Sequence, residues 1–356
     1  MTNPFKFGTI VEDEYFTNRE KESKEVADVL CSSNHLILIS PRRYGKTSLV
    51  SRVTGMMNRP VISLDLQLVT DVSDLASQLL KRILKINKWE KIKRFLVNFR
   101  IVPKVELNPV TNCMEVYFHP SVSDSFNALE DVMNLIEKTG EKGIRPIVVF
   151  DEFQEITEIS KTLLKQLRSV IQYHKNVNYV FLGSLESMMK SIFETKKSPF
   201  YHFGYLMTLN KIPYDSFFYY LKTRLEKVTD HSETVAVKIL QFTGRHPYYT
   251  QQLAYYCYQE LEGEKYSQEM FNHLVYKVIT LHNNDYERLW NTFSKTDKRI
   301  LITLAIQEKV SAISQPTSTV YSGLKRLLTQ GYIIRDEQYE LDDPFFKMWI
   351  KEKRNN

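Results

Sequence analysis

A short loop near the start of the chain has a glycine, a lysine and a threonine in the order that binds phosphate groups. It follows the apolar run Leu36–Ile39, which is typical of a buried strand, and it leads into a helical pattern. Backbone N–H groups of such a loop point into one concavity, where the dipole of the following helix adds positive charge. The residues predicted to bind phosphate are Ser40, Pro41, Arg42, Arg43, Tyr44, Gly45, Lys46, Thr47 and Ser48.

Three positions of this loop have distinct chemical roles. Gly45 lets the main chain approach a phosphate, Lys46 can reach the β- and γ-phosphates, and the Thr47 hydroxyl can ligate Mg²⁺. Ser40 stands where the spacing G-x-x-x-x-G-K-[ST] expects its first glycine, and serine adopts a positive φ less easily. A chance junction of turn and helix is the alternative, but the flanking strand and helix favour nucleotide binding.

Two carboxylates follow a second buried strand, at the end where open α/β sheets bind ligands. The strand is the apolar run Ile147–Phe150, and Asp151 and Glu152 come directly after it. We expect Asp151 to hold Mg²⁺ through water and Glu152 to orient and polarise the attacking water. An acidic loop that caps a strand is the alternative. The sequence thus predicts a hydrolase with Lys46 and Glu152 as catalytic residues.

Other candidate positions support two interpretations each. Ser184 follows the strand pattern 178–183 and could hydrogen-bond to the γ-phosphate or cap the next helix. Phe16 and Arg19 either belong to a surface arm and helix or fold back over the adenine and ribose. Pro247 suits the first turn of a helix that starts after a break in the pattern.

The composition is that of an ordinary globular protein with room for two or three domains. The chain has 356 residues, of which 43% are hydrophobic and 25% charged. No apolar run is long enough to cross a bilayer, and the N-terminus lacks a signal-peptide core, so we expect a cytoplasmic protein. Cys31, Cys113 and Cys257 are far apart, which favours reduced thiols over disulfides. The net charge of +6 permits an acidic partner but is spread along the chain.

The remaining patterns predict one insertion and two C-terminal regions. Alternating residues near 100–119 indicate a hairpin inserted in the core, and from residue 213 aromatic residues at helical spacing indicate a helix bundle. From residue 289, two helices and a hairpin suggest a winged helix-turn-helix. The basic residues that could contact duplex DNA there are Lys325, Arg326 and Arg335. Winged helices also bind proteins, so both kinds of partner stay open.

Five segments in this order resemble the archaeal-type ATPase family, which belongs to the AAA+-related STAND NTPases and shares its plan with origin-recognition ATPases. The resemblance extends over nearly the whole chain, and the order of the segments makes it specific. The segments are residues 16–22, the phosphate loop 40–47, the acidic segment 148–154, Gly244-Arg-His-Pro247 and the closing Asp343-Pro-Phe-Phe-Lys-Met-Trp349.

The resemblance implies an α/β fold of three parts. These are a P-loop core at 1–212 with a parallel sheet ordered 5-1-4-3-2, a helical lid at 213–288 and a winged helix at 289–356. It also implies ATP as the nucleotide, with Arg19 and its neighbours at the adenine side and Pro247 as a lid proline. The absence of a guanine-specifying Asn-Lys-x-Asp motif agrees with ATP. Tyr201–Gly204 occupies the region where ring-forming relatives place an arginine finger.

The principal hypothesis is therefore an ATP-dependent switch that hydrolyses ATP slowly with Mg²⁺. Its nucleotide state would change the angle between core, lid and winged helix, and its partner would be DNA or a protein. The alternative is a DNA-binding regulator, or a defence or mobile-element factor, in which ATP is a structural ligand with negligible turnover. The importance of Glu152 distinguishes the two. A small-molecule kinase is disfavoured because such compact enzymes carry no winged helix.

Overall fold

The computed structural model describes residues 2–11, 15–87, 89–109, 114–118, 124–140, 143–262, 265–335 and 338–354. The chain divides into two compact units. We call residues 21–40 and 49–209 the sheet unit, and residues 1–20, 41–48 and 210–356 the helical unit. Within the described ranges, every helix falls short of the length and apolar content that crossing a membrane requires. The domain limits expected at residues 212 and 288 stay predictions.

The first part of the chain, as far as residue 209, forms α-helices and β-strands in alternation. Short 3₁₀ turns follow β2 and β5, at Leu66–Leu68 and Phe153–Glu155. The elements are α1 (Glu20–Cys31), β1 (Leu36–Ile39), α2 (Lys46–Met56), β2 (Val61–Asp65), α3 (Val72–Ile86), α4 (Trp89–Leu96), β3 (Lys104–Leu107), β4 (Met114–Tyr117), α5 (Ser125–Gly140), β5 (Ile147–Asp151), α6 (Ile156–Ile159), α7 (Leu163–Ile171), β6 (Asn178–Gly183), α8 (Glu186–Phe193) and β7 (Tyr205–Thr208).

Five of these strands form one parallel sheet, as expected for the α/β class. Their order across the sheet is β2-β5-β6-β1-β7. If these five strands alone are numbered 1 to 5 along the chain, the order read from the β7 edge is 5-1-4-3-2. Every residue of β1 and β6 is buried, because both strands lie inside the sheet. Since the strands are parallel, the carboxyl ends of β1, β5 and β6 lie at the same edge.

The inserted segment forms an antiparallel hairpin of β3 and β4, in which Lys104 pairs with Tyr117. Residues 110–113, with Cys113, and 119–123 lie outside the described residues. Asp71 caps helix α3, because its carboxylate accepts from the N–H groups of Ser73 and Asp74. Gly140 is the last residue of α5, and it lacks the positive φ that favours glycine at helix ends; a Cβ there would instead lie 2.1 Å from the backbone oxygen of Asn176.

The helical unit takes its core from the second half of the chain. Its elements are α9 (Tyr214–Leu225), α10 (Ser232–Thr243), α11 (Pro247–Leu261), α12 (Gln268–Leu281), α13 (Asn283–Thr292), α14 (Lys295–Ala305), α15 (Thr317–Thr329), β8 (Ile333–Arg335), β9 (Tyr339–Leu341) and α16 (Pro344–Lys353). One continuous apolar core joins residues of these helices with Phe5 from the N-terminal segment. The antiparallel pair β8 and β9 follows α15 and leads directly into α16.

Candidate functional site

The phosphate loop connects β1 with α2, whose first residue is Lys46. Gly45 has φ +91° and Arg43 has φ +64°. Position 45 therefore favours glycine, which adopts a positive φ without steric cost. The Lys46 side chain is 5% exposed, and its Nζ donates to the backbone oxygen of Pro41 at 3.0 Å. The amine therefore lies folded against its own loop, at the start of a helix whose first N–H groups have no partner within the helix.

The serine that replaces the first glycine of the motif fits its position without strain. Ser40 is 1% exposed, has a negative φ, and donates its N–H to the backbone oxygen of Gly183 at 3.2 Å. Position 40 therefore does not adopt the left-handed backbone conformation that glycine favours. At the other end of the loop, Ser48 Oγ accepts from the N–H of Val11 at 3.0 Å, so the N-terminal segment is attached to the loop.

The acidic pair lies at the carboxyl edge of the sheet, within the sheet unit. Asp151 is the last residue of β5, and one of its oxygens accepts from the N–H of Glu152 at 2.9 Å. Glu152 adopts the left-handed conformation, with φ 49° and ψ 48°. Its Oε2 accepts from the hydroxyl of Ser184 at 2.5 Å and from Nε2 of Gln154 at 2.6 Å. Side chains after two adjacent strands thus meet on one carboxylate oxygen.

The interpretation of Ser184 as a helix cap is wrong. Helix α8 begins at Glu186, and its N-cap residue is Leu185, without a side-chain cap. The Ser184 hydroxyl is directed to Glu152 because β5 and β6 are neighbours in the sheet. A contact of Ser184 with the γ-phosphate stays a prediction.

The residues expected at the adenine side belong to the helical unit. Arg19 is 4% exposed with φ +79°, and its guanidinium donates to the backbone oxygen of Asn210 at 2.6 Å. Phe16 is half-buried in the same N-terminal segment. Pro247 is the first residue of α11, as the sequence predicts, and follows the left-handed residues Gly244 and Arg245. Nucleotide contacts of these side chains stay predictions.

Within the helical unit, the phosphate loop contacts α11 through Arg43. The Arg43 guanidinium lies 4.3 Å from the ring centre of Tyr248, and its Nη1 donates to the hydroxyl of Tyr249 at 3.5 Å. Tyr249 is 6% exposed, and burial raises its pKa. The loop residue Tyr44 also packs edge-on against the His246 ring, with 4.9 Å between centroids.

The Tyr249 hydroxyl in turn lies close enough to a buried carboxylate, Asp343 at the start of α16, to act on its pKa. Asp343 caps this helix, because its Oδ1 accepts from the N–H groups of Phe345 at 2.8 Å and Phe346 at 3.0 Å. Its Oδ2 accepts from the hydroxyl of Tyr286, in α13, at 3.1 Å. Burial raises the pKa of Asp343, and the hydrogen bonds only partly offset this effect. This carboxylate therefore joins α13 to α16 and lies beside Tyr249 of α11.

His246, which is 2% exposed, makes a second set of contacts between the phosphate loop and the turn before α16. Its ring lies between those of Tyr44 and Tyr249, and its Nε2 is 3.6 Å from Oδ1 of Asp342. Asp342 and Asp343 follow β9 directly. The turn between β9 and α16 therefore lies beside His246 at the start of α11, and His246 in turn contacts Tyr44 of the phosphate loop.

The C-terminal basic residues differ in their surroundings. Arg326 donates to Asp297 Oδ1 at 2.6 Å, and Asp297 is 3% exposed and part of the capping box of α14. Although burial acts the other way, hydrogen bonds from Arg326 and Ser294 lower the pKa of Asp297. Arg326 thus has a structural partner, but its side chain is 45% exposed, and its contact with DNA stays a prediction. Lys325 is exposed, and the Arg335 guanidinium lies 5.4 Å from the Tyr339 ring centre.

The oxygens expected to hold Mg²⁺ are the Thr47 hydroxyl and the Asp151 carboxylate. Both are hard ligands of the kind that Mg²⁺ accepts beside water and nucleotide phosphates, so these residues fit the ion. Among the residues that the structure describes, no three His, Cys, Asp or Glu side chains form a metal-binding cluster.

Sequence reasoning gave no role to Gln154, Tyr249 or Asp343. The sequence places Gln154 two positions after Glu152 and places Asp343 directly before a proline. An aspartate before a proline is typical of a helix start, which would have predicted the cap. The contact between Arg43 and Tyr249 joins residues 206 positions apart, so no local pattern could predict it.

Comparison with known proteins agrees with this geometry. A family model described as an ATPase domain predominantly from Archaea matches residues 16–253. None of the curated proteins compared with the chain matches it.

Solved structures share the fold over almost the whole chain. A Walker-type ATPase of Pyrococcus abyssi is 18% identical with a TM-score of 0.67, and 95% of this chain covers 96% of that one. The ORC2 protein of Aeropyrum pernix, in ADPNP-ADP complexes, is 12% identical with a TM-score of 0.53 and coverage of 96% and 94%. The ORC1 protein of the same organism, in complex with DNA, is 13% identical with a TM-score of 0.50 and coverage of 95% and 93%.

Proposed function

The chain belongs to the family of ATPase domains found predominantly in Archaea and is an ATPase, and from this premise we propose that it works as a Mg²⁺-dependent molecular switch. Hydrolysis of ATP to ADP and phosphate would change how its C-terminal helices contact DNA or a protein. The strand order and the succession of α14, α15, β8, β9 and α16 support an AAA+-related STAND plan with a winged helix. The cytoplasm stays the expected location.

We assign the chemistry to four side chains. Lys46 neutralises charge on the β- and γ-phosphates, and Thr47 and Asp151 hold Mg²⁺. When bound, this ion supplies charge neutralisation on the transferring phosphoryl group. Glu152 orients and polarises the attacking water. The serine at position 40 is compatible with these roles, because it needs no left-handed backbone there.

The observation that carries the switch proposal is the row of polar side chains Arg43, Tyr249 and Asp343, in which Arg43 donates to the Tyr249 hydroxyl and that hydroxyl lies beside the Asp343 carboxylate. Arg43 belongs to the phosphate loop, and Asp343 holds the first N–H groups of α16. A nucleotide that displaces Arg43 alters the partner of the Tyr249 hydroxyl and hence the cap of α16. Two nucleotide states that differ in their contacts with Arg43 would therefore differ at α16.

Duplex DNA is the partner that we propose to test first. The ORC1 protein of Aeropyrum pernix is in complex with DNA, and this chain shares its fold. Lys325 and Arg335 are exposed and cationic, whereas Arg326 is paired with Asp297. Contacts of such side chains with phosphates would make binding weaken steeply with salt concentration.

The experiment that tests the switch is amide hydrogen exchange with ADPNP and with ADP. We expect a peptide that contains Phe345 and Phe346 to exchange at different rates in the two states. The variant Tyr249→Phe, which loses only the hydroxyl, should abolish this difference while both nucleotides still bind. Tyr248→Phe is the matched control, because no hydrogen bond to the Tyr248 hydroxyl occurs among the described residues. Equal exchange with both nucleotides in the unmodified protein would refute the proposal.

A further inference from the structure

A buried glutamine, Gln154, holds one oxygen of the Glu152 carboxylate within the sheet unit. Gln154 is 0% exposed, and its Nε2 donates to Oε2 of Glu152 at 2.6 Å. Ser184 donates to the same oxygen through its hydroxyl at 2.5 Å and through its N–H at 3.3 Å. None of the described residues donates a hydrogen bond to the other oxygen, Oε1. The protein thus holds one oxygen of this carboxylate and leaves the second to another donor.

The charges around the Gln154 amide determine its orientation. Its Nε2 faces Glu152 and also lies 3.5 Å from an oxygen of Glu155. The reversed amide would place its oxygen against these carboxylates, which is repulsive. In the observed orientation the amide oxygen is buried and has no hydrogen-bond partner in the described part of the chain. A buried acceptor without a partner lowers stability, so packing alone would favour an apolar side chain here.

The backbone of Glu152 also constrains its side chain. The left-handed φ of 49° is costly for a residue other than glycine. Two hydrogen bonds hold this conformation: the Glu152 N–H donates to Asp151, and the Glu152 carbonyl accepts from the N–H of Glu155 at 3.0 Å. The strained backbone belongs to Glu152 itself, and the buried Gln154 amide that donates to its carboxylate leaves its own oxygen without a partner. Both features lower stability, and both orient Glu152.

We propose that Gln154 is a positioning residue for ATP hydrolysis. It fixes Oε2 of Glu152, so that Oε1 accepts a hydrogen bond from the attacking water. In that step the water oxygen bonds to the γ-phosphorus, and the bond to the bridging oxygen breaks with its electron pair going to ADP. One water proton leaves through Oε1 and the other stays on the phosphate. This inference rests on the proposed role of Glu152, and Gln154 itself touches neither ATP nor water in it.

The test is Gln154→Met, which keeps the length of the side chain and removes its donor. We expect kcat to fall about 10- to 100-fold, because a small displacement of a catalytic group has an effect of this size. The KM for ATP and the Kd for ADPNP should change by less than about twofold, since nucleotide binding does not involve Gln154. The urea midpoint should stay equal or rise, because the unpartnered oxygen is gone. Gln172→Met, at an exposed position after α7, is the matched control.

A second background shows whether Gln154 acts through Glu152. Under single-turnover conditions, Gln154→Met should lower the rate much less in Glu152→Gln than in the unmodified protein. An unchanged kcat in Gln154→Met would overturn the inference, as would an equal loss in both backgrounds or a loss matched by unfolding. Full activity of Glu152→Gln alone would instead refute the proposed function, so the two failures are distinguishable.

Discussion

Asp343 should stabilise the C-terminal helices through its hydrogen bonds and not through its charge. Replacement by alanine removes the cap of α16, which is worth about 1 kcal/mol. It also leaves the hydroxyl of Tyr286, which is 7% exposed, without its acceptor. A buried donor without a partner costs about 1–3 kcal/mol. We therefore expect Asp343→Ala to lower the free energy of unfolding by about 2–4 kcal/mol.

Asp343→Asn is the matched variant, because asparagine keeps the volume and a capping oxygen. We expect it to change the free energy of unfolding by less than about 1 kcal/mol near neutral pH. Urea denaturation followed by tryptophan fluorescence measures both variants, since Trp349 is fully buried in α16. A loss in Asp343→Asn as large as that in Asp343→Ala would refute the account, because it would make the charge essential.

The pH dependence gives a further check on Asp343. Burial raises its pKa above the ordinary value of 3.8, so the folded state binds more protons than the unfolded state above this pH. The contribution of Asp343 to stability is therefore fully present below pH 3.8 and is lost as pH rises through the folded pKa. The unmodified protein should lose stability relative to Asp343→Asn between pH 4 and neutral pH. A difference that stays constant over this range would contradict the raised pKa.

Three further predictions concern other parts of the chain. Lys46→Ala should weaken ATP binding at least about tenfold, because a charge on the β- and γ-phosphates is lost; equilibrium titration with a fluorescent ATP analogue measures it, and unchanged affinity would refute the role. Gly140→Ala should destabilise by about 1–3 kcal/mol in urea denaturation, since its Cβ meets backbone at 2.1 Å. Gly55→Ala, inside α2 with open space around it, should instead stabilise by up to about 1 kcal/mol, and equal effects would contradict this explanation. Arg326→Ala should lower the urea midpoint of unfolding, because it leaves the carboxylate of Asp297 without its cation. Lys325→Ala should leave this midpoint unchanged. It should weaken DNA binding, measured by titration at several salt concentrations.

The sequence predicts those parts of the structure that local patterns determine. Apolar runs predict β1 and β5 as buried strands, and the polar residues that end these runs are the predicted phosphate loop and acidic pair. The family and the five-stranded parallel sheet are confirmed. The family was expected from the order of five short segments, and the sheet from what that resemblance implies.

Tertiary pairing decides the rest and cannot be read from local pattern. The Ser184 hydroxyl binds Glu152 instead of capping α8, because β6 lies beside β5. Arg326 binds Asp297, 29 positions earlier, and its place on α15 did not indicate this partner. Gly140 ends α5 where Asn176 approaches it, and its φ is not positive. In each case the partner comes from a distant part of the chain.

The most direct test of the central claim is steady-state ATP hydrolysis by the purified protein and by Glu152→Gln, each with and without duplex DNA. We expect slow turnover that rises with DNA and is lost in Glu152→Gln, while ATP binding is retained. Equal turnover in both proteins would contradict the role of Glu152. Binding of ATP without turnover in any condition would contradict the hydrolysing switch and favour ATP as a structural ligand.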